Sequence, residues 1–276
     1  MTDLFWVDGR LGARVPPDDR GLALADGVFE TLRVEQGIIC CLRLHRERLA
    51  KGLEVLQFTD PSHRAELALA TATACLTAAT DNASGTLRLS VTRGSSARGY
   101  AIPSEVVPRT IVRYSPGLAD VSARARVTVA AVAWSEQPAY QGCKLLCRAE
   151  QVMALAGARD AGFDDVVMPA PDGSWQSTGS GNLFLRFGDL LVTAPVGAAG
   201  IAGTRRHAII HHWGEQMGYQ VSVAPISCGE AAGADEAFYC NAVVGVRGIE
   251  AIDQLRFQEH GAADRLAGVI HQDWLR

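Results

Sequence analysis

Along several short stretches of this chain hydrophobic and polar residues alternate, and along others the hydrophobic ones recur at helical spacing. Near the N-terminus, LFWVDG reads as a strand closed by a turn. GVFETLRVEQGIICCLRL holds two β-rich runs around Glu35-Gln36-Gly37, the signature of a hairpin. LHRERLAKGLEVLQF repeats apolar residues near the helical period and predicts an amphipathic helix. The Ala-rich run SHRAELALATATACLTAAT predicts a second helix, with Ser62 as its N-cap. GTLRLSVTRG and RTIVRY read as strands. SPGLADVSAR then interrupts the pattern with Pro116, Gly117 and small residues. This divides the chain into an N-terminal domain over 1–115, a linker over 116–123 and a C-terminal domain over 124–276.

The second half opens on a strand, RVTVAAVAW, followed by a helix at CRAEQVMALAGARDAG and a buried strand at DDVVMPA. GSWQSTGSGNLFL reads as a small-residue turn entering the strand NLFLRF, and a turn at Gly188-Asp189 leads to LLVTAP. GAAGIAGTRRHAIIHHWGEQMG is a Gly-rich loop opening a helix. YQVSVAP and EAFYCNAVVGV read as strands before a terminal helix. Strands and helices mingle without strict βαβ alternation, which favours two α+β domains over a doubly wound nucleotide fold.

Composition adds mainly exclusions. At 276 residues the chain is long enough for two domains, and 48% hydrophobic residues supply packed cores. A net charge of −4 leaves no electrostatic footprint for nucleic acid or anionic lipid. No apolar run is long enough for a membrane span, and the N-terminus lacks a basic segment followed by an apolar one, so a cytoplasmic protein is expected. Seven cysteines, an odd number without regular spacing, argue for a reducing compartment. Neither Cys143 with Cys147 nor Cys40 with Cys41 has a second pair to complete a zinc site. His207 and His211 could share a helix face, but no Glu lies between them in the H-E-x-x-H manner, so no metal is expected.

Four segments could carry chemistry. Gly197, Gly200 and Gly203 precede a helix, where backbone N–H groups and the helix dipole suit a phosphate. Their spacing is not that of a dinucleotide loop, and a flexible connection explains them as well. Lys144, in YQGCKLLCRAEQV, stands among apolar neighbours; burial lowers a lysine pKa and frees the amine for Schiff-base chemistry, although most lysines are solvated. Arg48 shares a helix face with His45 and Leu49 and could reach a phosphate, against the simpler reading of an exposed basic helix balanced by Glu47. VTRGSSARGY gathers Arg93, Arg98 and Tyr100 around a Gly/Ser loop that could present guanidinium groups to carboxylates, or be only a hairpin tip.

The order of these signals is more specific than any one of them. DDRGLALADGVFETLRV at 18–34 is close to D-R-G-x-x-x-G-D-G-x-F-E-T, and LHRERL, TRGSSARGY, CKLLCRAEQV, NLFL, AGIAGTRRH and YCNAVVGV follow it. In this order the chain resembles the class IV aminotransferases, the fold-type-IV pyridoxal-phosphate enzymes, over nearly its whole length. The RGY and K-x-x-x-R-x-E-Q-V pieces point to the branch that acts on 4-amino-4-deoxychorismate. The resemblance implies a two-domain α+β fold, with a smaller N-terminal α/β sandwich and a larger C-terminal domain of mixed, barrel-like sheet with helices. It implies pyridoxal 5'-phosphate as cofactor, a small carboxylate substrate, a homodimer and a carbon–oxygen lyase releasing pyruvate and 4-aminobenzoate for folate synthesis.

Residue by residue, Lys144 matches the lysine that joins the cofactor as a Schiff base and then moves the proton. Arg48 matches the arginine on the cofactor phosphate, Thr204 and Arg205 the backbone donors to it, and Asn241 and Ala242 the turn that completes the phosphate cup. Arg33, Arg98 and Tyr100 lie in segments that face substrate. Three places in the chain depart from the pattern. Ser177 stands five residues before Asn182, where the family has a Glu that keeps the pyridine nitrogen protonated. A neutral serine would weaken the electron sink, which hampers amino transfer more than elimination. Leu24 and Ala25 replace an aromatic and a Gly, and Leu145-Leu146-Cys147 replace a hydroxyl residue, Leu and Asn. Two other readings follow: a D- or branched-chain amino-acid aminotransferase, and a divergent member that binds without catalysis.

Overall fold

The computed structural model describes residues 2–79, 84–118, 120–197 and 199–273. Ala119, in the expected linker, and Ala198, in the Gly-rich loop, lie outside them. The chain forms two compact units, one of residues 1–118 with 143–147, the other of 119–142 with 148–274. The short piece Cys143–Cys147 thus groups with the first unit, whereas the sequence reading put all of 124–276 in the second.

In the first unit, β1 (Leu4–Val7), β2 (Arg10–Leu11), β3 (Gly27–Glu35), β4 (Ile38–Ile39), β5 (Gly85–Thr92) and β6 (Arg109–Pro116) make an antiparallel sheet in the order β2-β1-β6-β5-β3-β4. Strand β6 runs through Pro116, one residue into the expected linker. Helix α1 (Arg20–Leu24) is a short turn capped by Asp19 that the sequence pattern did not mark. Helices α2 (Leu42–Val55) and α3 (Pro61–Ala79) pack on the sheet. Helix α3 starts at Pro61, whose missing N–H costs nothing in a first turn, so Ser62 is not the N-cap that the sequence suggested. From α2, His45, Leu49, Gly52 and Leu53 face the sheet at helical spacing. A side chain on Gly52 would come within 2.9 Å of the Val28 methyl, so glycine is what lets α2 approach β3 closely.

The second unit is built on a curled nine-stranded sheet of mixed direction. Its strands are β7 (Ala125–Val129), β8 (Asp165–Pro169), β9 (Trp175–Thr178), β10 (Asn182–Phe187), β11 (Leu190–Thr193), β12 (Gln220–Val223), β13 (Glu236–Asn241), β14 (Gly245–Ile252) and β15 (Leu255–Arg256). Strand β7 stops at Val129, short of the expected Trp134. EAFYCNAVVGV is not one strand but the hairpin of β13 and β14. Trp175–Thr178, expected as part of a turn, is itself a strand paired with β8. Helix α4 (Ala149–Asp160) packs against β8, and α8 (Gly261–Asp273) against β14. The remaining helix begins as α5 (Thr204–Ala208), widens to a π-helical turn at Ile209–Trp213 and continues as α6 (Gly214–Gln216). A further short helix, α7 (Cys228–Ala231), is closed by a Ser227–Glu230 capping box. The α+β class and the two-part architecture are as the sequence led us to expect.

Candidate active site

Alternation along β3 sends Val28, Glu30, Leu32 and Val34 to one face and Phe29, Thr31 and Arg33 to the other. The first set lies in the apolar core with a single acid among them. Glu30 is fully buried and is met from α2 by Arg48, which donates from Nε to Oε1 at 2.8 Å and from Nη2 to Oε2, and by His45 Nδ1 at 2.7 Å. Burial alone would push the Glu30 carboxyl up; the charges and hydrogen bonds of Arg48 and His45 outweigh it and bring it from 4.5 down to about 2. The helix face that the sequence assigned to His45 and Arg48 is therefore real, and its first partner is a carboxylate inside the unit.

On the edge of β3 away from β5, the segment holding Lys144 adds a short antiparallel rung. Phe29 N donates to Lys144 O at 2.9 Å, Leu145 bridges Val28, and Leu146 N donates to Gly27 O at 3.0 Å. Gly27 is required here, because a Cβ would lie 2.3 Å from Val91 O and 2.8 Å from a Leu146 methyl. Lys144 is half-buried, and its Nζ lies 4.3 Å from the centroid of the Phe29 ring. Arg33 shares the Phe29 face but stands four residues further along, and is ion-paired with Glu35. Arg98 and Tyr100 are exposed on the loop after β5, Tyr100 by 88%. Beneath that loop lies a largely buried cluster, of which only Arg93 stood out in the sequence. Asp26 Oδ2 accepts from Arg20 Nε and Arg93 Nε, each at 2.8 Å, and Asp19 accepts from Thr92 Oγ1 and Arg109. Burial would raise the Asp26 carboxyl, but Arg93 and Arg20 hold it below the usual range.

The second unit holds the other expected residues. Gly203 caps the helix that opens at Thr204, so the first-turn N–H groups face outward from the helix end without a side-chain cap. Thr204 Oγ1 is buried and has no hydrogen-bond partner among the described residues. Arg205 is fully buried and donates from Nη2 to Ala242 O at 3.4 Å, tying the helix to the β13–β14 turn. Asn241 organises that turn: its Oδ1 accepts from Val243 N and Val244 N, and its Nδ2 donates to Ser180 O. Asn182 Nδ2 donates to Ile201 O at 3.0 Å, and a Cβ on Gly203 would lie 2.0 Å from Asn182 Oδ1. Strand, Gly-rich loop and helix start are thus interlocked. Ser177 is buried on β9 opposite Met168, its hydroxyl donating to Thr178 O at 2.9 Å.

An orphaned buried hydroxyl beside uncapped N–H groups at a helix start is a donor set that a phosphate completes. The residues present therefore fit the phosphorylated cofactor implied by the sequence. Among the described residues no three His, Cys, Asp or Glu come together, and the rings of His207 and His211 lie tilted at 49° with centroids 4.4 Å apart. No helix of the described residues is long and apolar enough to cross a membrane.

The family model described as Amino-transferase class IV matches residues 27–252. The chain belongs to that family. Its members are pyridoxal-phosphate enzymes, and this is one of them. An aminodeoxychorismate lyase from Vibrio harveyi is 29% identical over 255 residues, covering 90% of this chain and 91% of that protein. The crystal structure of 4-amino-4-deoxychorismate lyase from Pseudomonas aeruginosa superposes with a TM-score of 0.87 at 31% identity, covering 99% of this chain and all of the other. A branched-chain amino acid aminotransferase from Escherichia coli shares the fold at a TM-score of 0.88 but only 17% identity, with 99% of this chain and 95% of that one covered.

Proposed function

We propose that the protein is a pyridoxal-phosphate-dependent 4-amino-4-deoxychorismate lyase, a cytoplasmic homodimer that supplies 4-aminobenzoate for folate synthesis. Its likeness to two such lyases over nine-tenths or more of the chain carries this reading. Ser177 supports it: a buried, uncharged hydroxyl stands where an acid would favour amino transfer.

In this reading Thr204, Arg205, Asn241 and Ala242 hold the phosphate through backbone and hydroxyl donors, and Arg48 adds positive charge, with Glu30 fixing its orientation. Lys144 holds the cofactor covalently and afterwards carries the proton taken from the ring carbon that bears the amine. The bound cofactor supplies the sink for the electron pair released at that carbon. Breaking the bond between the ring and the enolpyruvyl oxygen then aromatises the ring, and protonation of the released enolpyruvate gives pyruvate. Arg33, Arg98 and Tyr100 serve the substrate carboxylates. Because aromatisation supplies driving force, the weaker sink beside Ser177 suffices. The test is incubation of the holoenzyme with aminodeoxychorismate, assaying pyruvate and 4-aminobenzoate together. Equal amounts of both are expected; brisk amino transfer to 2-oxoglutarate with neither product would overturn the reading.

A further inference from the structure

An exposed loop tip is ordinarily the cheapest part of a fold to leave mobile. The loop after β5 is instead bolted from beneath. Arg20, only 4% exposed, donates from Nη1 to Gly99 O at 3.1 Å and to Ser96 Oγ at 3.2 Å, and from Nη2 to Tyr100 O at 3.2 Å. Its Nε is fixed by Asp26, which Arg93 shares. The backbone adds Arg20 N to Gly94 O at 2.8 Å and a bridge between Asp19 and Ser95. The side chains at the tip of this framework face outward: Tyr100 is 88% exposed, and Arg98, also exposed, makes no ion pair among the described residues. Desolvating an arginine to fix carbonyl groups of an exposed loop is sensible only where the loop's position matters to a ligand.

We propose that Arg20 is a positioning residue that holds loop 95–100 ready, so that Arg98 receives a carboxylate of the substrate with Tyr100 beside it. This rests on the proposed lyase function for the identity of the substrate, but not for the role of Arg20. The guanidinium reaches four acceptors at once because its donors diverge from a rigid plane; a lysine at position 20 keeps the charge opposite Asp26 but cannot span them.

The test uses the holoenzyme with Arg20→Lys and, as a gentler variant, Ser96→Ala, which removes one of the loop contacts. Three quantities are read: the rate of tryptic cleavage after Arg98 without substrate, and KM and kcat for aminodeoxychorismate. Arg20→Lys should speed cleavage and raise KM by about tenfold each, as loss of charged hydrogen bonds predicts, with kcat within about threefold. Ser96→Ala should move cleavage and KM the same way by about two- to threefold. An unchanged cleavage rate in both variants, or a fall in kcat at constant KM, would overturn the proposal. If the wild type resists trypsin and Arg20→Lys does not, yet neither turns over aminodeoxychorismate, the lyase reading fails and the role of Arg20 stands.

Discussion

Replacing Glu30 by Gln removes the one carboxylate among the core residues of β3 while keeping its shape. Its folded-state value of about 2, against 4.5 when solvated, makes the ionised form worth about 3 kcal/mol to the folded state at neutral pH, at roughly 1.4 kcal/mol per unit. A carboxyl held low stabilises above its unfolded value and loses that contribution as pH falls through the folded one. The contribution should therefore drop to a little over 1 kcal/mol at pH about 3 and vanish below pH about 2. Glu30→Gln also leaves Arg48 and His45 facing an amide, so the loss at pH 7 should be at least this large, and Tm should fall by about 6–12 °C. The assay is thermal unfolding of both proteins across pH 3 to 7 in constant salt. The gap in Tm should narrow steadily below pH 5. A gap that stays constant with pH would mean that Glu30 is not ionised in the fold, and the reasoning about Arg48 would fall with it.

Thr204→Val exchanges a buried, unpartnered hydroxyl for a methyl of like size, so the apo protein should hold or gain Tm, while cofactor affinity, followed by absorbance titration, falls about tenfold. A drop in apo Tm with unchanged affinity would remove Thr204 from the phosphate site. Gly203→Ala should cost about 2–3 kcal/mol by driving Asn182 from Ile201, read in urea unfolding, with weaker cofactor binding as the companion effect. Borohydride reduction of the holoenzyme followed by peptide mapping should place the label on Lys144, and a label on any other lysine contradicts that assignment. Ser177→Glu should move the bound-cofactor absorbance to longer wavelength and raise side transamination; no change in either would show that Ser177 does not touch the ring.

Strand and helix periods were legible because they report burial on one face, as in Leu49 and Leu53 of α2 or Leu87 and Leu89 of β5. Strand β9 was not, because Ser, Thr and Gly look like a turn and its pairing partner β8 is supplied by the tertiary fold. Arg48 could be read from its helix face, but Glu30 could have been found too: an acid at a core-facing position of an alternating strand needs a buried cation. The Arg20 cluster left a fainter trace, in the DDRG run and in Arg93 of VTRGSSARGY. Asp26 lies only six positions from Arg20, but Thr92 lies 73 from Asp19 and Tyr100 80 from Arg20, and no local period records such pairings.

The grouping of Cys143–Cys147 with the first unit bears on how the chain is made. As the polypeptide leaves the ribosome, residues up to 118 can form the sheet and the helices α2 and α3 that pack on it early. The edge of β3 at Gly27–Phe29 waits for Lys144 and Leu146 to arrive. Until then it offers unpaired backbone groups to any neighbouring strand. A fragment ending at Leu118 would keep that sticky edge permanently, so the first unit is synthesised ahead of most of the second but cannot be finished without part of it.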